Sequence, residues 1–170
     1  VHFGKGDGTF DAPVSFDIFS VVPDDDVNDA VVEIADVNND GRPDLIGYGG
    51  FRDSGINETG YRVFLNQGGR NFAPAAYVQT NPSEVGPRDI EAEDFDGDGA
   101  LDLLLVPEFA NPQVHLGDGA GAFSLESTLP SSSFLFDADV ADIDGDQAFD
   151  AVIVSAGSST ADVYINLAEL

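Results

Sequence analysis

Short apolar runs, broken by acidic or glycine-rich turns, recur along the whole chain. Val31-Val-Glu-Ile34, Leu103-Leu-Leu-Leu-Val106 and Ala151-Val-Ile-Val154 are rich in β-formers and too brief for helices, so they predict strands. Two punctuation patterns separate these runs. The first is acidic: Asp36-Val-Asn38-Asn-Asp40-Gly41-Arg42-Pro-Asp44, Asp94-Phe-Asp96-Gly-Asp98-Gly99-Ala100-Leu-Asp102 and Asp142-Ile-Asp144-Gly-Asp146-Gln147-Ala148-Phe-Asp150. The second is a glycine-rich turn ending in Phe: Val1-His-Phe-Gly to Phe10, Val63-Phe-Leu-Asn to Phe72 and Val114-His-Leu-Gly to Phe123, with a truncated copy at Val163-Tyr-Ile-Asn166.

The acidic pattern returns after 58 residues and then after 48. The step from its last Asp to the next Val is 19 residues in the first copy, 12 in the second and 13 in the third. The first copy therefore carries an insertion, placed between Gly49 and Gly60. Each period predicts about four strands: one entering the acidic loop, one leaving it, one ending in the glycine-rich turn and one starting at the following Phe. Four short strands per period, with no helical pattern, is the arithmetic of a β-propeller blade. The expected fold is all-β, a single unit over residues 1–170 with a little over three blades of four antiparallel strands. Its repeats fall near 1–28 (a partial blade), 29–80, 88–128 and 136–167. Closed propellers have about four to eight blades, which leaves two expectations: a fragment of a longer propeller, or chains that associate to complete a ring.

Alternate residues of a tight loop can aim their side chains at one point. Asp36, Asn38 and Asp40, then Asp94, Asp96 and Asp98, then Asp142, Asp144 and Asp146 occupy such positions. The next alternate residue, Arg42, Ala100 or Ala148, is expected to offer its backbone carbonyl, and Asp44, Asp102 or Asp150 closes the set. An all-oxygen shell of this kind suits calcium, which takes six to eight oxygen ligands flexibly. About three calcium sites are expected. A helical calcium hand would need Glu at the twelfth loop position, where Gly47, Leu105 and Ile153 stand. Asp, Asn and Gly also build ordinary turns, but the same offset to a fourth Asp in three copies favours a metal. Gly41 and Gly99 suit the positive φ of a sharp turn, whereas Gln147 does not, so the third site is expected to be the weakest.

Charge strengthens that expectation. With 32 acidic against 6 basic residues, the net charge is −26, and self-repulsion opposes folding unless cations offset it. Three calcium ions would bring −26 to −20, coupling metal binding to folding. The same charge argues against nucleic-acid or membrane-surface partners. No run approaches the roughly 18 apolar residues of a membrane span, and no charged-then-apolar leader opens the chain. The absence of Met and the start at Val1 suggest a mature or excised segment. Zero cysteines exclude disulfides, thiol catalysis and thiolate-bound metals.

The acidic loop, the Leu-rich strand after it and the Val-x-Leu-Gly turn ending in Phe closely resemble the FG-GAP and VCBS repeat family, found in integrin α-subunit propellers and in many exported bacterial and fungal proteins. The resemblance spans nearly the whole chain. It implies a β-propeller in which each acidic loop joins the first and second strands of a blade and binds calcium through the positions named above, on the face opposite most ligand contacts. Gln147 and the low repeat count depart from the pattern.

No nucleophile elbow, zinc-protease motif or phosphate loop occurs, and metal ligation accounts for the paired carboxylates better than glycoside hydrolysis does. The protein is expected not to be an enzyme. His2 and His115, at equivalent repeat positions, read as structural. Glu33, Glu91 and Asp139 share a position three residues before each loop, on the strand expected to be innermost, where a hydrated channel would hold them. Loops away from the calcium face supply ligand-binding candidates: Tyr48, Phe51, Arg52, Asn57 and Tyr61 around the insertion, and Phe109, Asn111 and Gln113 in the second blade. The leading expectation is an extracellular or secreted recognition or adhesion module, cell-surface or periplasmic settings included. Its partners are a protein or carbohydrate ligand, the remaining blades of the same propeller, or a second copy completing a ring. The alternatives are an architectural accessory domain of a larger exported protein, and a calcium-dependent polysaccharide lyase or hydrolase.

Overall fold

Period-two alternation of apolar residues places two faces on every strand. The computed structural model describes residues 1–15, 26–53, 56–81, 86–131, 134–156 and 159–166, without the side chains of 26–29, 51–53, 56–58, 76 and 81. Among the described residues there are eleven strands and no helix. The first sheet contains β1 (Asp26–Ala35), β2 (Asp44–Asp53), β3 (Ile56–Gly68) and β4 (Asn71–Asn81). The second contains β5 (Pro87–Glu93), β6 (Asp102–Pro107), β7 (Gln113–Gly117) and β8 (Phe123–Thr128). The third has β9 (Leu135–Ala141), β10 (Asp150–Ser155) and β11 (Thr160–Tyr164). Within each sheet, consecutive strands pair antiparallel.

The register repeats from sheet to sheet. Ala35 faces Asp44, Glu93 faces Asp102 and Ala141 faces Asp150, so each acidic loop closes a first-to-second-strand hairpin at the same place. The glycine-rich turns repeat as well, with Asn66 opposite Phe72 and Gly117 opposite Phe123. Gly4 and Phe10 form a bridge at the equivalent positions of the N-terminal stretch, which an Arg70–Asp11 ion pair and the Arg70 guanidinium over Phe3 tie to the first sheet.

The inserted residues of the first repeat lengthen a hairpin. β2 and β3 stay paired out to Asp53 and Ile56. Gly60 permits this packing, because a Cβ there would lie 2.3 Å from the Val78 carbonyl oxygen on β4.

Two apolar layers join the three sheets. Ile46, Tyr48, Tyr61 and Val63 of the first sheet pack with Ile90, Leu103 and Leu105 of the second. Leu104 and Val106, on the opposite face of β6, pack with Leu135, Ala138, Ala151 and Ile153 of the third. The unbroken Leu run of β6 is thus buried on both faces. The first strands β1, β5 and β9 lie side by side, giving an open segment of a propeller with its loops repeated at one end.

Candidate metal centre

Each acidic loop is built by carboxylates that accept from its own backbone. Asp94 receives the N–H of Gly97 at 2.8 Å and of Gly99 at 2.9 Å on its two oxygens. Asp142 does the same with Gly145 at 2.7 Å and Gln147 at 3.1 Å, and Asp36 with Asp40 at 3.1 Å and Gly41 at 2.7 Å. Asn38, Asp96 and Asp144 each accept from the residue two further on, as do Asp40, Asp98 and Asp146. This ladder of local turns curls the chain so that alternate side chains converge.

Three carboxylates converge in each of the second and third loops. Carboxylate oxygens of Asp94, Asp96 and Asp102 lie within 4.8 Å of one another, as do those of Asp142, Asp144 and Asp146. The first loop differs in chemistry: Asn38 replaces a carboxylate, and the Arg42 guanidinium pairs with Asp40 while its Nε donates to the Asn66 carbonyl at 2.8 Å. Arg42 thus places its own cation in the loop, beyond the carbonyl expected of it. Gln147 is held at φ 78°, matching Gly41 at 80° and Gly99 at 90°. The loop shape is therefore imposed on a side-chain-bearing residue that the left-handed region disfavours.

The closing aspartates have a function that spacing did not reveal. Asp44, Asp102 and Asp150 are fully buried, and each joins its loop to the end of the third strand. Asp102 accepts from Phe95 N–H and Gly117 N–H, both at 2.8 Å. Asp150 accepts from Ile143 and Asn166 at 2.8 Å, and Asp44 from Val37 at 3.2 Å and Asn66 at 2.7 Å. These partners are the second residue of each loop and the fourth residue of each Val-initiated turn. Burial raises the Asp44 and Asp102 carboxyls above their ordinary range, against the pull of these N–H bonds, and the neighbouring loop aspartates raise them further. A divalent cation would reverse that balance. Hard oxygen donors, gathered and mutually repelling, fit calcium: Asp94, Asp96 and Asp102 would hold it in the second loop, and Asp142, Asp144 and Asp146 in the third.

The ligand-face candidates are dispersed. Tyr48 and Tyr61 are cross-strand partners in the core, each 1% exposed, and not loop groups. Tyr61 packs edge-on against His115 and Phe123, so neither tyrosine offers a ligand surface. Phe51, Arg52 and Asn57 lie on β2 and β3, with side chains outside the described set. Phe109 is exposed and stacks edge-on with Phe134, and Asn111 accepts from Ser131. Gln113 is half-buried and contacts the His115 Nε2 at 3.0 Å. His115 itself is buried, which pushes its pKa down to about 4.

Glu33, Glu91 and Asp139 sit on β1, β5 and β9, whose first-strand positions bring their charges together. Glu91 is pushed up to about 7 by burial first, then by Asp89, Glu33, Asp139 and Glu93. Asp89 accepts from Ala138 N–H at 2.9 Å and so ties β5 to β9.

The family model of the FG-GAP-like repeat matches residues 94–153, from the first aspartate of the second loop into β10. No curated protein and no solved structure matches the chain. Among the described residues, no helix is long and apolar enough to cross a membrane.

Proposed function

We propose that this chain, a β-propeller-like module carrying an FG-GAP-like repeat, is a non-catalytic extracellular scaffold for recognition or adhesion, stapled by calcium in its repeated loops. The observation that carries this reading is the carboxylate triad gathered in each of the second and third acidic loops, built on the same first two loop positions. The ion's task there is structural. It would neutralise aspartates that already brace a hairpin and clamp the third strand, so binding would tighten each blade from its loop end. Extracellular calcium modules have Kd values of about 10⁻⁴ to 10⁻³ M, and this reading expects the loops to bind in that range.

One observation favours the architectural form of this function over a dedicated ligand site. Tyr48 and Tyr61 are spent in the core, and the insertion extends paired strands instead of raising a loop. Titration calorimetry with calcium and with magnesium tests the proposal. Millimolar-range calcium binding with much weaker magnesium binding is expected. No calcium binding would overturn the staple, and nanomolar sites would contradict an extracellular setting.

A further inference from the structure

The fourth residue of each Val-initiated turn donates its main-chain N–H to the closing aspartate of its own blade: Asn66 to Asp44 at 2.7 Å, and Gly117 to Asp102 and Asn166 to Asp150 at 2.8 Å. The side chains at this place differ. Asn66 turns back on its own blade, its Nδ2 donating to the Pro43 carbonyl at 2.9 Å, and Gly117 has no side chain. Asn166 reaches across to the blade before it, where its Nδ2 donates to the Phe95 carbonyl at 2.6 Å.

Phe95 stands between Asp94 and Asp96, two of the three carboxylates gathered in the second loop, and its N–H is already held by Asp102 at 2.8 Å. With its carbonyl held by Asn166, both main-chain groups of Phe95 are fixed, one from each blade. Its ring packs into the apolar layer between the second and third sheets. The far end of the bridge is built alike. Asp150, which receives the Asn166 N–H, also receives that of Ile143 at 2.8 Å, and Ile143 stands between Asp142 and Asp144 of the third triad. A continuous series of hydrogen bonds thus runs from Asp102 through Phe95, Asn166 and Asp150 to Ile143, joining the two triads. Asp102 and Asp150 are fully buried, where hydrogen bonds are stronger than in water. Between the first and second loops the contact is longer: the Asn39 Nδ2 lies 3.5 Å from the Gly99 carbonyl.

We infer that Asn166 is a positioning residue that couples the second metal loop to the third, so that a cation bound in either loop raises the affinity of the other. The inference rests on the calcium reading of the loops. With the third loop loaded, Ile143 is fixed between Asp142 and Asp144, and Asp150 and Asn166 hold the Phe95 carbonyl in place. Asp94 and Asp96, on either side of it, are then set before a second ion arrives. Order established by the first binding event need not be established again, and the gain is reciprocal. Repulsion between the two ions opposes it, equally with and without the Asn166 side chain.

Calcium titration of the ¹⁵N-labelled chain by NMR reads the two loops separately, through the Gly99 amide, which donates to Asp94, and the Gln147 amide, which donates to Asp142. With Asn166 in place, disabling the third loop by Asp144→Ala is expected to raise the calcium midpoint at Gly99 about two- to tenfold, the scale of one hydrogen bond. In an Asn166→Leu background the same substitution should raise it less than about twofold. Asn166→Ala is the second variant, should leucine disturb the fold; both keep the main-chain bond to Asp150. A merely structural role for Asn166 would weaken both loops and leave the effect of Asp144→Ala the same in either background. That result, or a Gly99 midpoint indifferent to Asp144→Ala when Asn166 is present, would overturn the coupling and leave the calcium reading intact. Calcium that moves neither amide would overturn the calcium reading, and the coupling with it.

Discussion

Asp102→Ala separates the two functions assigned to a closing aspartate. The carboxylate is fully buried and accepts the N–H groups of Phe95 and Gly117, both at 2.8 Å. Truncation leaves two partly buried donors without their partner, each costing at most about 1–3 kcal/mol, less where water reaches it, so a loss of about 1–4 kcal/mol follows from the clamp. That is a large share of the roughly 5–15 kcal/mol that holds a typical domain together. Against it runs the relief of crowding, since Asp94 and Asp96 repel the Asp102 charge when no cation is present. In chelator the two effects partly offset. In calcium the substitution removes a ligand as well, and no relief remains. The cost should therefore be larger in calcium than in chelator, with Asp102→Asn intermediate because its amide oxygen still accepts one N–H. Urea denaturation at pH 7, with calcium about tenfold above the weakest Kd expected of an extracellular module and again with chelator, measures both numbers. A loss below about 1 kcal/mol in both conditions would refute the clamp. An equal loss in both would refute the ligand assignment.

Gln147→Gly should relieve the third loop, where Gln147 is held at φ 78°. Left-handed strain of about 1–2 kcal/mol is offset by glycine's entropic cost of about 0.5–1 kcal/mol, so calcium affinity at that loop should rise severalfold at most. Calorimetry showing unchanged or weaker binding would remove strain from the account. Glu91 predicts a pH slope. The folded chain keeps its proton up to about 7, against an ordinary 4.5, so it binds more protons than the unfolded chain between those values. This contribution to stability is present below 4.5 and is lost as pH rises through about 7. Denaturation midpoints in chelator should fall over that window and fall less in Glu91→Gln; a steeper fall in the variant would contradict the inner-strand cluster.

Much of the fold was legible because its signals are local and repeated. Asp-rich loops and glycine-rich turns at constant offsets marked the ends of each strand, and the observed registers, Ala35 with Asp44 and Glu93 with Asp102, fall at those marks. The strained position was legible too, since Gln147 stands where the other loops have glycine. What escaped depends on pairing across the chain. The extra spacing between Gly49 and Gly60 suggested an insertion bearing ligand-face residues, but Gly60 lies in a strand where it lets β4 approach closely, and Tyr48 and Tyr61 fall on the core face. The clamp made by Asp102 reaches a residue 15 positions away, and Asp44 one 22 positions away. Only the pairing of the second strand with the third makes those distances short. The Arg42–Asp40 ion pair was local, but a cation two residues beyond a presumed ligand was read only for its backbone.

The central claim is that calcium in these loops tightens each blade from its loop end. Thermal unfolding followed by circular dichroism, in calcium, in magnesium and in chelator, tests it most directly. Linkage gives a stabilisation of about 2.7 kcal/mol per site at a hundredfold excess over Kd, so the midpoint should rise by several degrees in calcium and far less in magnesium. A midpoint that is the same in all three would contradict the claim.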